Sequence, residues 1–124
     1  MTPVVFVAVA FAGGIGSAVR FLVDGLLRSR ATAYPLETLA INVSGSFLLG
    51  LVTGFGLSAL VPPDVFVVIG SGFLGGYTTF STASVESVRL IQARRYGIAL
   101  VNSVGMLVLA ALASAVGLVV GSLT

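Results

Sequence analysis

Four long apolar runs divide this chain, and each of them is long enough to cross a lipid bilayer. They cover residues 3–27, 38–60, 65–92 and 97–123. A helix needs about 20 largely apolar residues to span the hydrocarbon core, and a helix satisfies its own backbone hydrogen bonds there. The sequence therefore predicts an all-α membrane protein in the lipid bilayer, with four transmembrane helices forming a single domain over residues 1–124.

The composition excludes most soluble functions. Only 8% of the residues are charged and 57% are hydrophobic, whereas a soluble domain carries about 25% charged residues. The chain has no Cys and no His, which excludes disulfides, thiolate ligands and the usual zinc sites. No catalytic constellation remains, so we do not expect an enzyme. The few arginines lie beside apolar runs and do not indicate a nucleic-acid partner.

The arginines beside the loops predict how the four helices are oriented. Five of the six flank the first and third loops, and the second loop and both termini carry none. These five are Arg28, Arg30, Arg89, Arg94 and Arg95. Because arginine-rich loops stay in the cytoplasm, we expect a multi-pass protein of the cell membrane with both termini outside.

Glycine pairs in the second and fourth spans indicate close helix packing. Residues 50–54 and 117–121 both match the pattern GxxxG, whose small side chains let two helix backbones approach each other. The sequence leaves open whether the motifs pack helices within one chain or form a dimer seam.

Polar residues inside the spans are the first candidates for function. Asn42 and Ser46 are four residues apart and therefore share one helix face; they either form interhelical hydrogen bonds or line a polar path. Arg20 is the one cation predicted well inside a span, and Asp24 follows on the same face. A charge inside a membrane is a functional candidate, and a structural pair with Asp24 is the alternative.

The third span contains the segment GFLGGYTTFSTASVES at residues 72–87, which is too polar for an ordinary membrane helix. The glycines at 75 and 76, followed by the threonines at 78 and 79, predict a break that divides this helix into two halves. A break frees carbonyls at the end of one half and N–H groups at the start of the other. Carbonyls suit a hard cation and a helix N-terminus suits an anion. The alternative is a glycine kink whose free groups are satisfied by the threonine hydroxyls. The first interpretation predicts a small, oligomeric, ion-handling membrane protein.

Three motifs in these spans resemble those of the Fluc (CrcB) family of fluoride channels. Residues 13–21, GGIGSAVRF, are similar to the first-helix pattern GGxxGxxxR of the family. Residues 38–47, TLAINVSGSF, are similar to TLxxNxxGxF, and residues 75–82, GGYTTFST, are similar to GGxTTFST. The resemblance covers the whole chain, with the motifs in the order of the family.

The resemblance implies an antiparallel, dual-topology dimer with two narrow pores. It also implies a central sodium ion that is structural and not transported. The backbone carbonyls of Gly75 and Thr78 from each subunit would hold this ion. Arg20 would be a structural residue.

The resemblance further implies which residues contact fluoride on its passive way out of the cytoplasm, a route that limits fluoride toxicity. Asn42 and Phe80 would contact the ion, Ser81 and Thr82 would supply hydroxyl donors, and Glu86 would lie at a pore mouth.

The chain departs from the family pattern in three places, one of which is Glu37 at a position that is usually Gly. Ala83 stands where the family has a second Phe, and the hydroxyl track of the fourth helix corresponds here to Asn102, Met106 and Ala110. These departures keep open a second hypothesis, a non-conducting assembly subunit of a heterodimeric fluoride channel. A third hypothesis is a small multidrug-type exporter, for which the first span offers only Asp24 near its end.

The arginine bias also predicts the partner in the dimer. Homodimeric antiparallel assembly needs a sequence that inserts both ways, whereas five loop arginines against none lock the orientation. We therefore expect the partner to be a homologous, oppositely oriented subunit.

Overall fold

The computed structural model describes residues 2–27 and 36–124, and all four predicted spans are helical in it. The third span, Pro63–Gln92, consists of two helices. We number the helices α1 (Pro3–Leu27), α2 (Leu36–Leu57), α3 (residues 63–77), α4 (Phe80–Gln92) and α5 (Tyr96–Ser122). The prediction of an all-α protein with four transmembrane helices is confirmed. Arg28 and Arg30, on which the predicted orientation partly depends, lie outside the described residues.

The connection between α2 and α3 begins earlier than the sequence predicted, because α2 ends at Leu57 instead of near residue 60. Ala59 has a φ of 60°, and the Leu60 N–H donates to the Phe55 carbonyl oxygen at 2.9 Å. This left-handed residue with a bond back across the last turn is the Schellman helix ending. Pro63 then begins α3, where a missing N–H costs nothing.

The two GxxxG motifs pack against each other within the chain. A side-chain carbon on Gly50 would overlap the carbonyl oxygen of Ser114, and one on Gly117 would overlap that of Phe47. Glycine therefore lets the backbones of α2 and α5 touch along residues 47–55 and 114–122. The sequence left open whether these motifs pack helices within one chain or form a dimer seam. In the structure they pack two helices of the same chain.

A second glycine seam joins α1 to α3. A side-chain carbon on Gly16 would overlap the carbonyl oxygen of Phe73, and one on Gly76 would overlap that of Gly13. A small core of Ile41, Leu74 and Tyr77 packs beside this seam. Because both partners of the seam are backbone, it holds the end of α3 in one position.

Two π-helical segments interrupt the regular winding of the spans. Val68–Leu74 forms the central part of α3, and Val101–Gly105 lies in α5 just before Met106. Single π-helical turns inside α-helices are frequent at functional sites. The first precedes the last three residues of α3, and the second directly precedes Met106 in α5.

Candidate ion pathway beside the broken helix

The break in the third span lies at two threonines. Thr78 has φ −78° and ψ 157°, and Thr79 has φ −145° and ψ 117°, so both are extended. Gly75 and Gly76 were expected to share in the break but are helical. Gly76 is needed instead for the close contact with Gly13. The predicted break is confirmed, and its position is later than the glycines suggested.

One threonine side chain satisfies a backbone group that the break exposes. The Thr79 hydroxyl oxygen accepts from the Thr82 N–H at 3.2 Å, whereas the Thr78 hydroxyl donates at 3.0 Å to the Leu74 carbonyl oxygen, which already accepts from the Thr78 N–H. Thr79 is thereby the N-cap of α4. The alternative in which threonine hydroxyls satisfy the free groups therefore holds for the Thr82 N–H, although the helix is broken and not merely kinked.

The side-chain amide of Asn42 in α2 bridges the backbone of Thr79. Its Oδ1 accepts from the Thr79 N–H at 2.8 Å, and its Nδ2 donates to the Thr79 carbonyl oxygen at 2.9 Å. The opposite orientation of the amide would place oxygen against oxygen, so the bonding network determines which atom is which. Asn42 thus forms the interhelical hydrogen bonds that its position in a span predicted.

The same amide has one further contact, with α5. Asn42 Nδ2 donates to the thioether sulfur of Met106 at 3.2 Å. An amide has two N–H donors, so the Thr79 carbonyl oxygen and the Met106 sulfur together occupy both of them.

The break also changes the hydrogen-bond acceptors of two backbone N–H groups that would otherwise donate to carbonyl oxygens of the same helix. In a continuous α-helix the Thr79 N–H would bond to Gly75 and the Thr82 N–H to Thr78. Here the first donates to Asn42 and the second to the Thr79 hydroxyl oxygen. The carbonyls of Gly75 and Thr78 are thus deprived of their usual donors, and a hard cation is a suitable partner for such oxygens.

A groove of about 600 Å³ runs between α2, α4 and α5 beside the break. Asn42 and Phe80, two of the predicted pathway residues, both line it, and Ser46 joins them as its spacing predicted. Phe80 is 86% exposed, so its ring meets little of its own chain. The fourth-helix residues in its wall are Asn102, Ser103, Met106, Leu107 and Ala110.

A separate cavity of about 320 Å³ lies between α1, α2 and α4, and Thr79 lines both this cavity and the groove. It contains Arg20, Asp24 and Thr82. Ser81 is exposed, with its hydroxyl 3.4 Å from that of Thr79. Glu86 is half-buried and lies beside Thr38, outside the linings of both cavities. The structure therefore brings Asn42 and Phe80 together and distributes the other three predicted pathway residues elsewhere around α4.

Asn102 is a feature whose importance the sequence did not reveal. It is completely buried, and its Nδ2 donates to the Ser87 hydroxyl oxygen at 2.8 Å. Its Oδ1 has no hydrogen-bond partner among the described residues. The sequence does show an amide side chain in an apolar span at this position, but we interpreted it only as a departure from the hydroxyl track of the family.

The fold and this site define a class of protein. Four apolar spans, one of them broken at mid-length beside two cavities, form a small multi-pass membrane protein. Broken helices within membranes are the places where channels and transporters build ion sites.

Comparison with known proteins identifies the family. The family described as CrcB-like protein, Camphor Resistance (CrcB), matches residues 7–118. A protein of Leifsonia xyli subsp. xyli named fluoride-specific ion channel FluC 1 is 56% identical over 99% of this chain and 90% of its own length. FluC 2 of Cutibacterium acnes is 43% identical over 92% of this chain and 94% of its own. The chain belongs to the CrcB family. The resemblance seen in its motifs is confirmed, and the exporter hypothesis is set aside.

Proposed function

We propose that this chain is a subunit of a fluoride channel through which fluoride leaves the cytoplasm down its gradient. The observation that carries the proposal is the 56% identity, over nearly the whole chain, to a relative named as a fluoride-specific ion channel. The physiological reason is the trapping of a weak acid. HF crosses the membrane and dissociates in the near-neutral cytoplasm, and the anion then accumulates until a channel releases it.

The groove beside the break offers the chemistry that such a passage needs. Fluoride is small and strongly hydrated, so a pore must replace its water with hydrogen-bond donors. Asn42 carries amide N–H groups, and the edge of the Phe80 ring carries positive charge density. Both line the groove. Ser81 and Thr82 lie around α4 outside the groove lining and would add hydroxyl donors on another part of the path, and Glu86 would lie where the path opens.

No cation is needed in this narrow path, and its absence there would let the anion leave easily. Arg20 lines the separate cavity, together with Asp24, and not the groove. This separation supports a structural role for Arg20.

A structural sodium ion belongs to the proposal, held by the Gly75 and Thr78 carbonyls of each subunit. Its support is the redirection of the two amides that would otherwise cover these oxygens. A sodium ion would neutralise carbonyl dipoles that hydrocarbon cannot solvate. The sodium ion would have a structural role and would not be transported with fluoride.

The assembly we propose is an antiparallel dimer with a homologous, oppositely inserted subunit, the termini of this chain lying outside the cell. The exposure of Phe80 supports a partner surface beside the groove, and the arginine bias supports a fixed orientation. The partner would supply the second phenylalanine and the fourth-helix hydroxyls that this chain lacks.

One observation favours a second candidate, a subunit that completes the pore of its partner without conducting. The groove wall contains Ala83 and Ala110 in addition to Met106, and Met106 occupies an N–H of Asn42. In that case this chain would contribute packing and the sodium-binding carbonyls, and fluoride would pass only along the residues of the partner.

Fluoride efflux from liposomes tests the proposal. The chain is reconstituted alone and with its oppositely inserted homologue, and fluoride and chloride release are recorded separately. We expect fluoride-selective release from the pair. Chloride release at the same rate would refute the channel proposal. The second candidate requires that substitutions in the groove of this chain leave release unchanged, while the matching substitutions in the partner abolish it.

A further inference from the structure

The Asn42 amide is fully bonded in a groove that is otherwise open to a ligand. Its Oδ1 and one N–H bind the backbone of Thr79, and its remaining N–H binds the Met106 sulfur. Met106 is 5% exposed and forms part of the groove wall. An anion that seeks an amide donor in this groove must therefore replace one of the two contacts made by Nδ2.

The two Nδ2 contacts differ greatly in how easily they can be replaced. The two bonds to Thr79 satisfy backbone groups at the break in the helix, inside a membrane, where an unpaired group costs several kcal/mol. A thioether sulfur is only a weak acceptor. A hydrogen bond to an anion is about twice as strong as one between neutral groups. The Met106 contact is the one that an anion can displace.

The surroundings of Met106 allow its side chain to move. Methionine is unbranched and has three rotatable side-chain bonds, so it adapts to irregular space. Ala110 lies one helical turn further along α5 and also lines the groove. Its short side chain leaves room on the same face for a displaced methionine.

We propose that Met106 is the gating residue of this groove. When no anion is bound, its sulfur holds the second N–H of Asn42; when a small anion takes that N–H, the side chain of Met106 swings aside. The inference rests on the proposed function, since it identifies fluoride as the anion that displaces the sulfur. It explains why a groove lined by a donor amide carries a methionine directly against that amide.

A methyl NMR experiment tests the displacement without relying on conduction. The chain contains two methionines, Met1 and Met106, so labelling with ¹³C-methyl methionine gives one interior signal and one terminal signal. The full chain in its assembly is titrated with sodium fluoride, and with sodium chloride at matched ionic strength. We expect fluoride to shift the Met106 signal in a saturable way and to leave Met1 unchanged. A Met106 signal that stays still over the fluoride range of the efflux assay would overturn the proposal, as would an equal shift with chloride.

Met106→Leu provides an independent test, because leucine fills similar space and cannot accept a hydrogen bond. With no sulfur to displace, fluoride release at low fluoride should rise by about two- to fivefold, the loss expected for one weak hydrogen bond. Leu109→Ile is the control on the same helix, since Leu109 is exposed, lies outside the groove lining and has no polar atom. An assembled Met106→Leu protein that releases fluoride at the wild-type rate would contradict the gating role.

The two measurements separate this inference from the proposed function. A fluoride-dependent Met106 signal without efflux would support the displacement and refute conduction by this chain. Efflux with a static Met106 signal would support the channel and overturn the gate. If neither responds to fluoride, both proposals fail.

Discussion

The side-chain amide of Asn42 pairs with both backbone polar groups of Thr79, at 2.8 and 2.9 Å. This side chain of α2 thus forms the two backbone hydrogen bonds that a neighbouring β-strand would form with an extended residue. Without such a partner, the extended backbone would leave a donor and an acceptor unpaired inside the membrane. The broken helix therefore depends on Asn42 before any ion is considered.

Asn42→Ala should destabilise the fold, because it leaves the N–H and the carbonyl of Thr79 without partners. Each unsatisfied group costs about 1–3 kcal/mol. We expect a clear fall in thermal stability in detergent, accompanied by loss of fluoride release. Ser46→Ala is the control, because Ser46 lines the same groove without this backbone bridge. Equal stability of the two variants would show that the Thr79 bonds contribute nothing.

Gly16→Ala should disturb the packing of α1 against α3, because the new methyl group would overlap the Phe73 carbonyl oxygen. Overpacking of this kind costs about 1–3 kcal/mol, and here the obstacle is backbone that cannot rotate away. Gly14→Ala is the matched control on the same helix, since a methyl group there meets nothing within 4 Å. Thermal melting in detergent measures both. Equal melting temperatures for the two variants would show that this seam contributes nothing to stability.

Phe80→Ile should strongly reduce fluoride release if the ring edge contacts the ion, since an aliphatic side chain has no comparable quadrupole. Leu57→Ile is the control, because Leu57 is also highly exposed and lies outside the three motifs. Liposome efflux compares the two variants with the wild type. Similar losses for both would mean that Phe80 acts only through packing.

Prolonged sodium depletion should abolish fluoride release slowly, as the proposed central ion leaks away. The four carbonyls, two from each subunit, would repel one another without it. The measurement is efflux after extended dialysis against a bulky organic cation, with return of sodium as the reversal. Release that persists unchanged would argue against a sodium ion at Gly75 and Thr78.

Cysteine labelling should reveal a single orientation in the membrane. The chain has no cysteine of its own, so Ala31→Cys in the first loop and Asp64→Cys near the second give clean signals. In intact cells an impermeant reagent should label only the second site, as expected for the arginine bias. Labelling at both sites would mean dual insertion, and the proposed pairing with an oppositely oriented homologue would fail.

Much of this molecule could be predicted from the sequence. The four spans follow from run length and hydropathy, since hydrocarbon leaves the backbone no alternative to helices. The motif around Gly75–Tyr77 and the threonines after it predicted a broken third helix and pointed to the family. The shared helix face of Asn42 and Ser46 also follows from spacing alone, because it depends on helical geometry and on no other part of the chain.

Only the tertiary structure decided how these pieces meet. The break moved from the glycines to Thr78 and Thr79 because Gly76 must pack against Gly13 and Asn42 binds the extended backbone. Both contacts join residues far apart in the chain, and local preference cannot foresee them. For the same reason, the sequence shows Met106 only as an apolar departure from a hydroxyl track. The contact between its sulfur and Asn42 is visible only in the folded chain. Which groups satisfy one another inside the membrane is determined by the packing of different helices.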